Sequence, residues 1–341
     1  MNKMKAAVYE GTANIRIVEK ELPEIGPKDV LVRNLRSGIC GTDINIVKAG
    51  GGNLGISLGS EFGHEMAGEV VAVGSEVSSE ISVGQHVGIN PITAKKAGRR
   101  KSLECSGFSQ YVVVEEAALN HNLYAFAPEV PLEAAALLEP MSVGRHGAFS
   151  VDPKPGEHIV ILGAGPIGLL AAASLIAEGI ADVCVVDIDE WRLAKAEALG
   201  ALTVNTSKIA LADGLTALFG QVNVYGLDVP DVDAFVDAAG AAPLFKAVME
   251  IVKPQARIAI IAVYKQEVPF SLGQIMSKEV RVQGASGYTH ADLAAVVGHI
   301  TKHHAKLSGL VTHVYKLDEI AEAFDTAIGA QGTVKVLIDL A

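Results

Sequence analysis

Two rhythms of hydrophobic and polar positions divide the chain. From residue 4 to about 151, short β-branched runs at 5–9, 15–18, 30–34, 69–73, 85–89 and 110–114 are separated by Gly, Pro, Asn and Asp, with no long helical period before residue 131. Runs of that length between turn formers predict a strand-rich region. From residue 155 to about 284 the pattern changes to alternation: apolar runs at 158–162, 183–186, 233–236, 257–263 and 280–284, with helical stretches at 169–178, 190–199 and 243–252. Gly200 closes the second of those helices. Strand-helix-strand alternation predicts a parallel, doubly wound sheet that binds its ligand at the carboxyl ends of the strands. Beyond it lie helical patterns at 292–303 and 317–328 and a final strand at 334–338. That strand is expected to return to the first region. The expected class is therefore α/β, with a β-rich domain of residues 1–151 and 289–341 and a doubly wound domain of residues 152–288.

Within the second rhythm, Gly163-Ala164-Gly165-Pro166-Ile167-Gly168 follows the apolar run at 158–162 and opens an Ala- and Leu-rich helical stretch. Glycines there allow a sharp turn and close approach to a pyrophosphate, whose charge is stabilised by the free N–H groups of the new helix. Such spacings also arise by chance in a chain with 35 glycines. The order strand, turn, helix gives this one meaning, and so does Asp187, which ends the next strand nineteen residues after Gly168. An acid in that position accepts hydrogen bonds from ribose hydroxyls and repels a 2′-phosphate, so NAD is expected rather than NADP.

Composition narrows the partners. A formal net charge of −11 opposes binding to a polyanion, which excludes nucleic acid. No stretch approaches the roughly 18 consecutive apolar residues of a membrane span, and the start of the chain lacks the apolar core of a secretion signal. A cytoplasmic enzyme acting on a small molecule is the expectation. Cys40, Cys105 and Cys184 are too scattered for a disulfide framework, so each is examined as a ligand or a core residue. The one charge run, at 95–101, reads as a solvated loop.

Three stretches carry donor groups. Cys40 and Thr42 stand in Gly38-Ile39-Cys40-Gly41-Thr42-Asp43, His64 and Glu65 follow Gly63, and Glu139 precedes Pro140 in an otherwise apolar segment. Thiolate, imidazole and carboxylate all bind zinc, and a catalytic zinc takes three protein ligands with one position left open. Taken singly, each residue reads as well as a packed cysteine, a loop histidine or a solvated acid.

Together the motifs resemble the zinc-dependent medium-chain alcohol dehydrogenase family, most closely its polyol and butanediol branch. The resemblance rests on Gly-Ile-Cys-Gly-Thr-Asp, on Gly-His-Glu-x-x-Gly-x-Val-x-x-Val-Gly from Gly63 to Gly74, on Glu-Pro-Met-Ser-Val-x-x-His from Glu139 to His146, and on the turn at Gly163. It implies a GroES-like catalytic domain, a Rossmann domain, an active site in the cleft between them, and a homodimer or homotetramer. Carried over by position, Cys40 and His64 match zinc ligands. Glu65 and Glu139 match the two acids near the metal, one of which usually coordinates. Thr42 matches the hydroxyl that takes the substrate proton. Gly163, Gly165, Pro166, Ile167, Gly168, Asp187 and Arg192 match the nucleotide side, with Arg192 lying on the adenosine, paired with Asp187 or facing solvent. Ala262, Val263 and Tyr264 match the segment that holds the nicotinamide, and Ser286, Gly287 and Tyr288 a later cofactor and substrate loop. Ile46 matches a substrate position.

Departures from the family pattern shape the rest. Residues 90–106 contain Cys105 alone, so a four-cysteine structural zinc is expected to be missing and one catalytic zinc remains. Ile46 stands where polyol dehydrogenases often carry Tyr, and Gly287 where they carry Arg. Both losses favour a short vicinal diol or hydroxyketone over a long polyol. A polyol phosphate, with the run at 95–101 meeting the phosphate, L-threonine, and a catalytically inactive nucleotide-binding protein are the alternatives. Asn45 occupies the place of a histidine that commonly completes the proton relay, and an amide does not titrate near pH 7. Proton release is therefore expected to pass through water or another group. An Asn45→His variant should show a strongly altered pH–rate profile; an unchanged profile would count against a relay role at this position.

Overall fold

The structure is a computed structural model, and it describes residues 3–94 and 106–341. The chain divides into two compact units, Met1–Pro140 with Leu293–Ala341, and Met141–Asp292. The charge run at 95–101 and Cys105 lie outside the described residues.

The first unit is built on a strand that everything else joins. Val30–Gly38 pairs with Glu65–Val73 along its full length, with Tyr111–Val114 beside its first half, and with Lys335–Asp339 beside its last three residues. Glu65–Val73 continues through His86–Ile89 to Leu123–Phe126, while Lys335–Asp339 pairs in parallel with Val311–Lys316. Alternate residues of the central strand, Val30 and Val32, are fully buried with Val70, Val87 and Val114. Leu31 between them is buried as well, so the strand is covered on both faces over these three residues. The last strand of the chain thus lies in the first unit. On the other side a helix, Gly41–Ala49, leaves the central strand and packs Ile46 and Val47 into a core containing Phe62, Phe108 and Phe324.

In the second unit six parallel strands stand in the order Leu202–Asn205, Val183–Asp187, Ile159–Leu162, Ala234–Asp237, Arg257–Ile260 and Arg281–Gly284. The first strand in sequence is central, and the chain reverses direction across the sheet beside it. That reversal opens a crevice at the carboxyl ends of Ile159–Leu162 and Ala234–Asp237. Every residue of Ile159–Leu162 is buried because helices cover both faces. The hairpin Gln221–Val224 with Leu227–Pro230 is not predicted by the sequence rhythm; it is a short exposed pair between the helix Leu211–Phe219 and the fourth strand.

Asp292 anchors the end of the second unit. Thr289 caps the helix His290–Leu307, and the Asp292 carboxylate accepts from the Thr289 N–H at 2.8 Å and hydroxyl at 2.7 Å. It also takes Arg145 at 2.6 Å and His146 at 2.9 Å. Burial pushes this carboxyl up, but the bonds from Thr289, His146 and Arg145 outweigh it and hold its pKa below the usual Asp range. A depressed carboxylate stabilises the fold above its ordinary pKa, and the contribution disappears as pH falls through the folded value. Asp292→Asn should therefore cost about 2 kcal/mol at pH 7, with the difference from wild type closing in acid. Denaturant unfolding at pH 7 and at pH 3 measures both, and a difference that persists unchanged at low pH would show that the charge is not what stabilises.

Candidate active site

The donor residues of the first unit meet where three strands end. Gly38 closes the central strand, Glu65 opens its neighbour opposite Gly38, and Lys335 opens the strand on the other side. Ile39 continues the pairing by donating its N–H to Val336 O at 3.0 Å. Cys40 then starts the helix Gly41–Ala49 as its N-cap. Gly63 reaches His64 through a left-handed turn, φ 90°, and a Cβ there would stand 2.8 Å from the Phe108 ring. The result is one cluster: donor atoms of Cys40, His64 and Glu65 all lie within 4.8 Å of one another.

Asp43, quoted in the motif but given no role in it, ties two of these residues together. As the third residue of its helix it accepts the Cys40 N–H at 2.9 Å through Oδ2, and its Oδ1 stands 3.5 Å from His64 Nδ1. It is completely buried. A histidine whose second nitrogen faces a carboxylate has its tautomer and ring orientation fixed for metal binding through the first. Neither that nitrogen nor Oδ1 has a hydrogen-bond partner within normal reach. A thiol, an imidazole and a carboxylate so spaced, with the imidazole backed by an acid, fit a zinc ion. Burial opposes charge on His64, yet Asp43 and Cys40 outweigh it and lift its pKa well above the ordinary histidine value.

Glu139 lies outside the 4.8 Å grouping but within reach of its charges. Burial pushes its carboxyl up to about 7, with Glu65 and Asp43 adding to the rise and His64 and Lys335 opposing it. Lys335 is the residue the sequence rhythm conceals. It forms an ion pair with Glu65 in which both side chains are nearly inaccessible, and no role for it was expected. The available signal was a lysine inside an otherwise apolar terminal strand. Thr42 receives the Cys40 thiol at 3.7 Å and is half-buried. Asn45 is exposed on the same helix. Ile46, expected at the substrate, has no exposed surface and packs in the aromatic core instead. Its helix turns it away from solvent.

In the second unit the glycine turn has the form its sequence requires. Gly163 has φ 101°, Gly165 caps the helix Pro166–Ala177 with Pro166 at its first position, and a Cβ on Gly168 would meet Gly163 O at 1.9 Å. Asp187 ends its strand beside the turn, accepting from the N–H groups of Ala164 at 2.6 Å and Ile188 at 2.7 Å. A cavity of about 480 Å³ opens there, with Gly163 and Asp187 in its lining and apolar walls from Leu211, Pro243, Leu244 and Ala247. Those walls come from separate helices, which is why no motif marks them. Arg192 forms an ion pair at 3.8 Å with Asp189, not Asp187. Ala262 bonds to Asp237 O, Val263 is largely exposed, and the Tyr264 hydroxyl donates to the Asp237 carboxylate. Asp237 also accepts from the N–H groups of Ala239 and Gly240, each at 3.0 Å. Ser286, Gly287 and Tyr288 form the loop before the helix His290–Leu307. Cys184 is a core residue whose burial raises its thiol to about 12.

A strand-rich unit with a half-buried thiol beside a buried imidazole and carboxylate, joined to a doubly wound sheet with a nucleotide turn, defines a metal-dependent dehydrogenase. Family comparison agrees. Residues 26–123 match the alcohol dehydrogenase GroES-like domain and residues 166–302 the zinc-binding dehydrogenase domain. The chain is 32% identical to D-xylulose reductase of Scheffersomyces stipitis, covering 94% of each chain. It is 30% identical to L-threonine 3-dehydrogenase of Mesorhizobium japonicum over 99% of each. Among solved structures it resembles 2R,3R-butanediol dehydrogenase from Bacillus subtilis, with TM-score 0.82, 27% identity, and 98% and 99% of the two chains covered. The chain belongs to the zinc-dependent alcohol dehydrogenase family and is an oxidoreductase that uses a nicotinamide cofactor. Among the described residues no helix is long and apolar enough to cross a membrane.

Asp43 is the element of the site that can be tested without substrate. Asp43→Asn should weaken zinc binding between about tenfold and a hundredfold, read by competition with a chelator, and an unchanged affinity would remove Asp43 from the site.

Proposed function

We propose that this dehydrogenase oxidises short vicinal diols and reduces the matching hydroxyketones, using NAD and one zinc ion per chain. The observation that carries the reading is the cluster of half-buried Cys40 with buried His64 and Glu65. When bound there, zinc supplies a Lewis acid for the substrate oxygen, and the nicotinamide supplies the hydride acceptor. Cys40, His64 and Glu65 would hold the metal. Asp43 orients the first two of these. Thr42 receives the hydroxyl proton of the substrate, and with Asn45 exposed the onward transfer goes to water. Glu139, buried within reach of the cluster's charges, would be the second acid beside the metal.

Substrate size is argued from what the chain lacks. Gly287 has no side chain, so its position offers no hydrogen bond to a long polyol. The likeness to butanediol dehydrogenase supports the same choice. A polyol or L-threonine substrate is the second reading, favoured by the likeness to D-xylulose reductase and L-threonine 3-dehydrogenase. On the cofactor side, Asp187 places a carboxylate where a 2′-phosphate would lie, which favours NAD. Among the described residues the strand Arg281–Gly284 ends its sheet with one edge unpaired, and Phe270, Leu272 and Met276 are exposed, features that suit a homo-oligomer. The reading places its action in the cytoplasm.

NADH formation from 2,3-butanediol, sorbitol, a polyol phosphate and L-threonine, with and without a strong chelator, tests the proposal. Chelator-sensitive turnover fastest with the diol is expected, and faster with NAD than with NADP. Preference for sorbitol or the phosphate would overturn the pocket argument while keeping the mechanism. Activity indifferent to a chelator, in protein shown by metal analysis to be zinc-free, would remove the metal.

A further inference from the structure

The buried ion pair behind the donor cluster does more than fill space. Lys335 Nζ is ion-paired with Glu65 Oε2 and donates a hydrogen bond to Ile39 O at 3.0 Å. Ile39 is the residue before Cys40, so one ammonium group grips the carboxylate of one zinc donor and the backbone that carries another. Lys335 is 3% exposed and Glu65 1%. Gly38 supplies the room: a Cβ there would stand 1.9 Å from Glu65 Oε2 and 2.7 Å from Lys335 Cε. The central strand therefore ends without a side chain at the one place where this pair passes it.

Resting on the zinc reading of the cluster, we infer that Lys335 is a positioning residue that occupies one oxygen of Glu65 and limits how strongly this carboxylate binds the metal. Two effects act in the same direction. A carboxylate oxygen already bonded to an ammonium group is a poorer donor to a second cation, and the fixed positive charge itself repels a divalent ion in a poorly solvated site. Asp43 does the opposite from the other side, since its negative charge strengthens His64 as a donor. A metal bound by Cys40, His64 and Glu65 would thus lie between a supporting anion, Asp43, and a restraining cation, Lys335, with Glu65 as its weakest protein donor.

Cobalt substitution makes this readable apart from turnover. The protein is loaded with Co(II), its visible bands are recorded, and the rate of metal transfer to a chelator is followed for wild type, Lys335→Met and Lys335→Arg. Lys335→Met should shift the bands and slow metal release roughly tenfold, while Lys335→Arg, which keeps the charge, stays near wild type. Bands and release rate unmoved in Lys335→Met, even with lowered thermal stability, would make Lys335 a structural residue and overturn the inference. Faster release in that variant would overturn it as well. If Lys335→Met does not fold, Gly38→Ala carries the same question, because its methyl group must separate the pair; shifted bands support the inference and unshifted bands reject it. Wild-type protein that binds no Co(II) would instead contradict the zinc reading itself.

Discussion

Charge taken out of water is the constraint on which the β-rich unit depends. Glu65, Lys335, Asp43 and His64 are all buried at the meeting point of three strand ends. Removing an ion from water costs several kcal/mol, and deleting one member of a buried pair commonly costs about 3–5 kcal/mol. A fold tolerates such a group only if each charge finds its partner in a fixed geometry. That requirement accounts for the local detail: a strand that stops at a glycine, a helix that begins immediately afterwards on Cys40, and an acid one turn into it that reaches back to both. The flanking Phe62, Phe108 and Phe324 rings, 5.0–6.0 Å apart, give this corner a rigid wall.

The second unit is held by a different kind of interaction. Its strands Ile159–Leu162, Val183–Asp187 and Ala234–Asp237 are buried on both faces, and its crevice follows from strand order more than from any individual pairing. The polar groups that appear there cluster at the carboxyl ends. Asp187 and Asp237 each receive backbone N–H groups of the loop that follows their own strand, so two carboxylates set the shape of the rim around the glycine turn. Function in this unit is thus written on the edge of a hydrophobic scaffold, whereas in the first it is written into the interior.

Legibility in the sequence follows the same division. Alternation of apolar runs and helices announces the doubly wound sheet, and the helix Glu190–Leu199 is read to its ends because Asp189 and Gly200 cap it. The strand Glu65–Val73 is recognised only from residue 69, since His64, Glu65 and Gly68 interrupt the hydrophobic pattern where the site begins. The helix Gly41–Ala49 escapes for a related reason: Gly41, Thr42 and Asn45 read as turn formers. Cys40, His64 and Glu65 could be named because their motifs are contiguous. Asp43 was in view without a role, and Lys335 was out of view, because its partner lies across a strand pairing that nothing local encodes. Ile46 shows the converse. The resemblance matches it to a substrate position, and its helix turns the side chain into the core.

The circuitous path of the chain has a consequence for the order in which the molecule is made. Residues 141–292 are contiguous and emerge from the ribosome as a whole unit, able to collapse on a core of their own. The β-rich unit at that stage has its thiol, its imidazole and its acids, but the strand Lys335–Asp339 has not yet been translated. Until it arrives, Glu65 lacks the ammonium group that partners it in the folded unit, and the central strand lacks the neighbour that links it to Val311–Lys316. Sheet completion and charge pairing at the donor cluster are therefore one event, brought about by a single late-made strand.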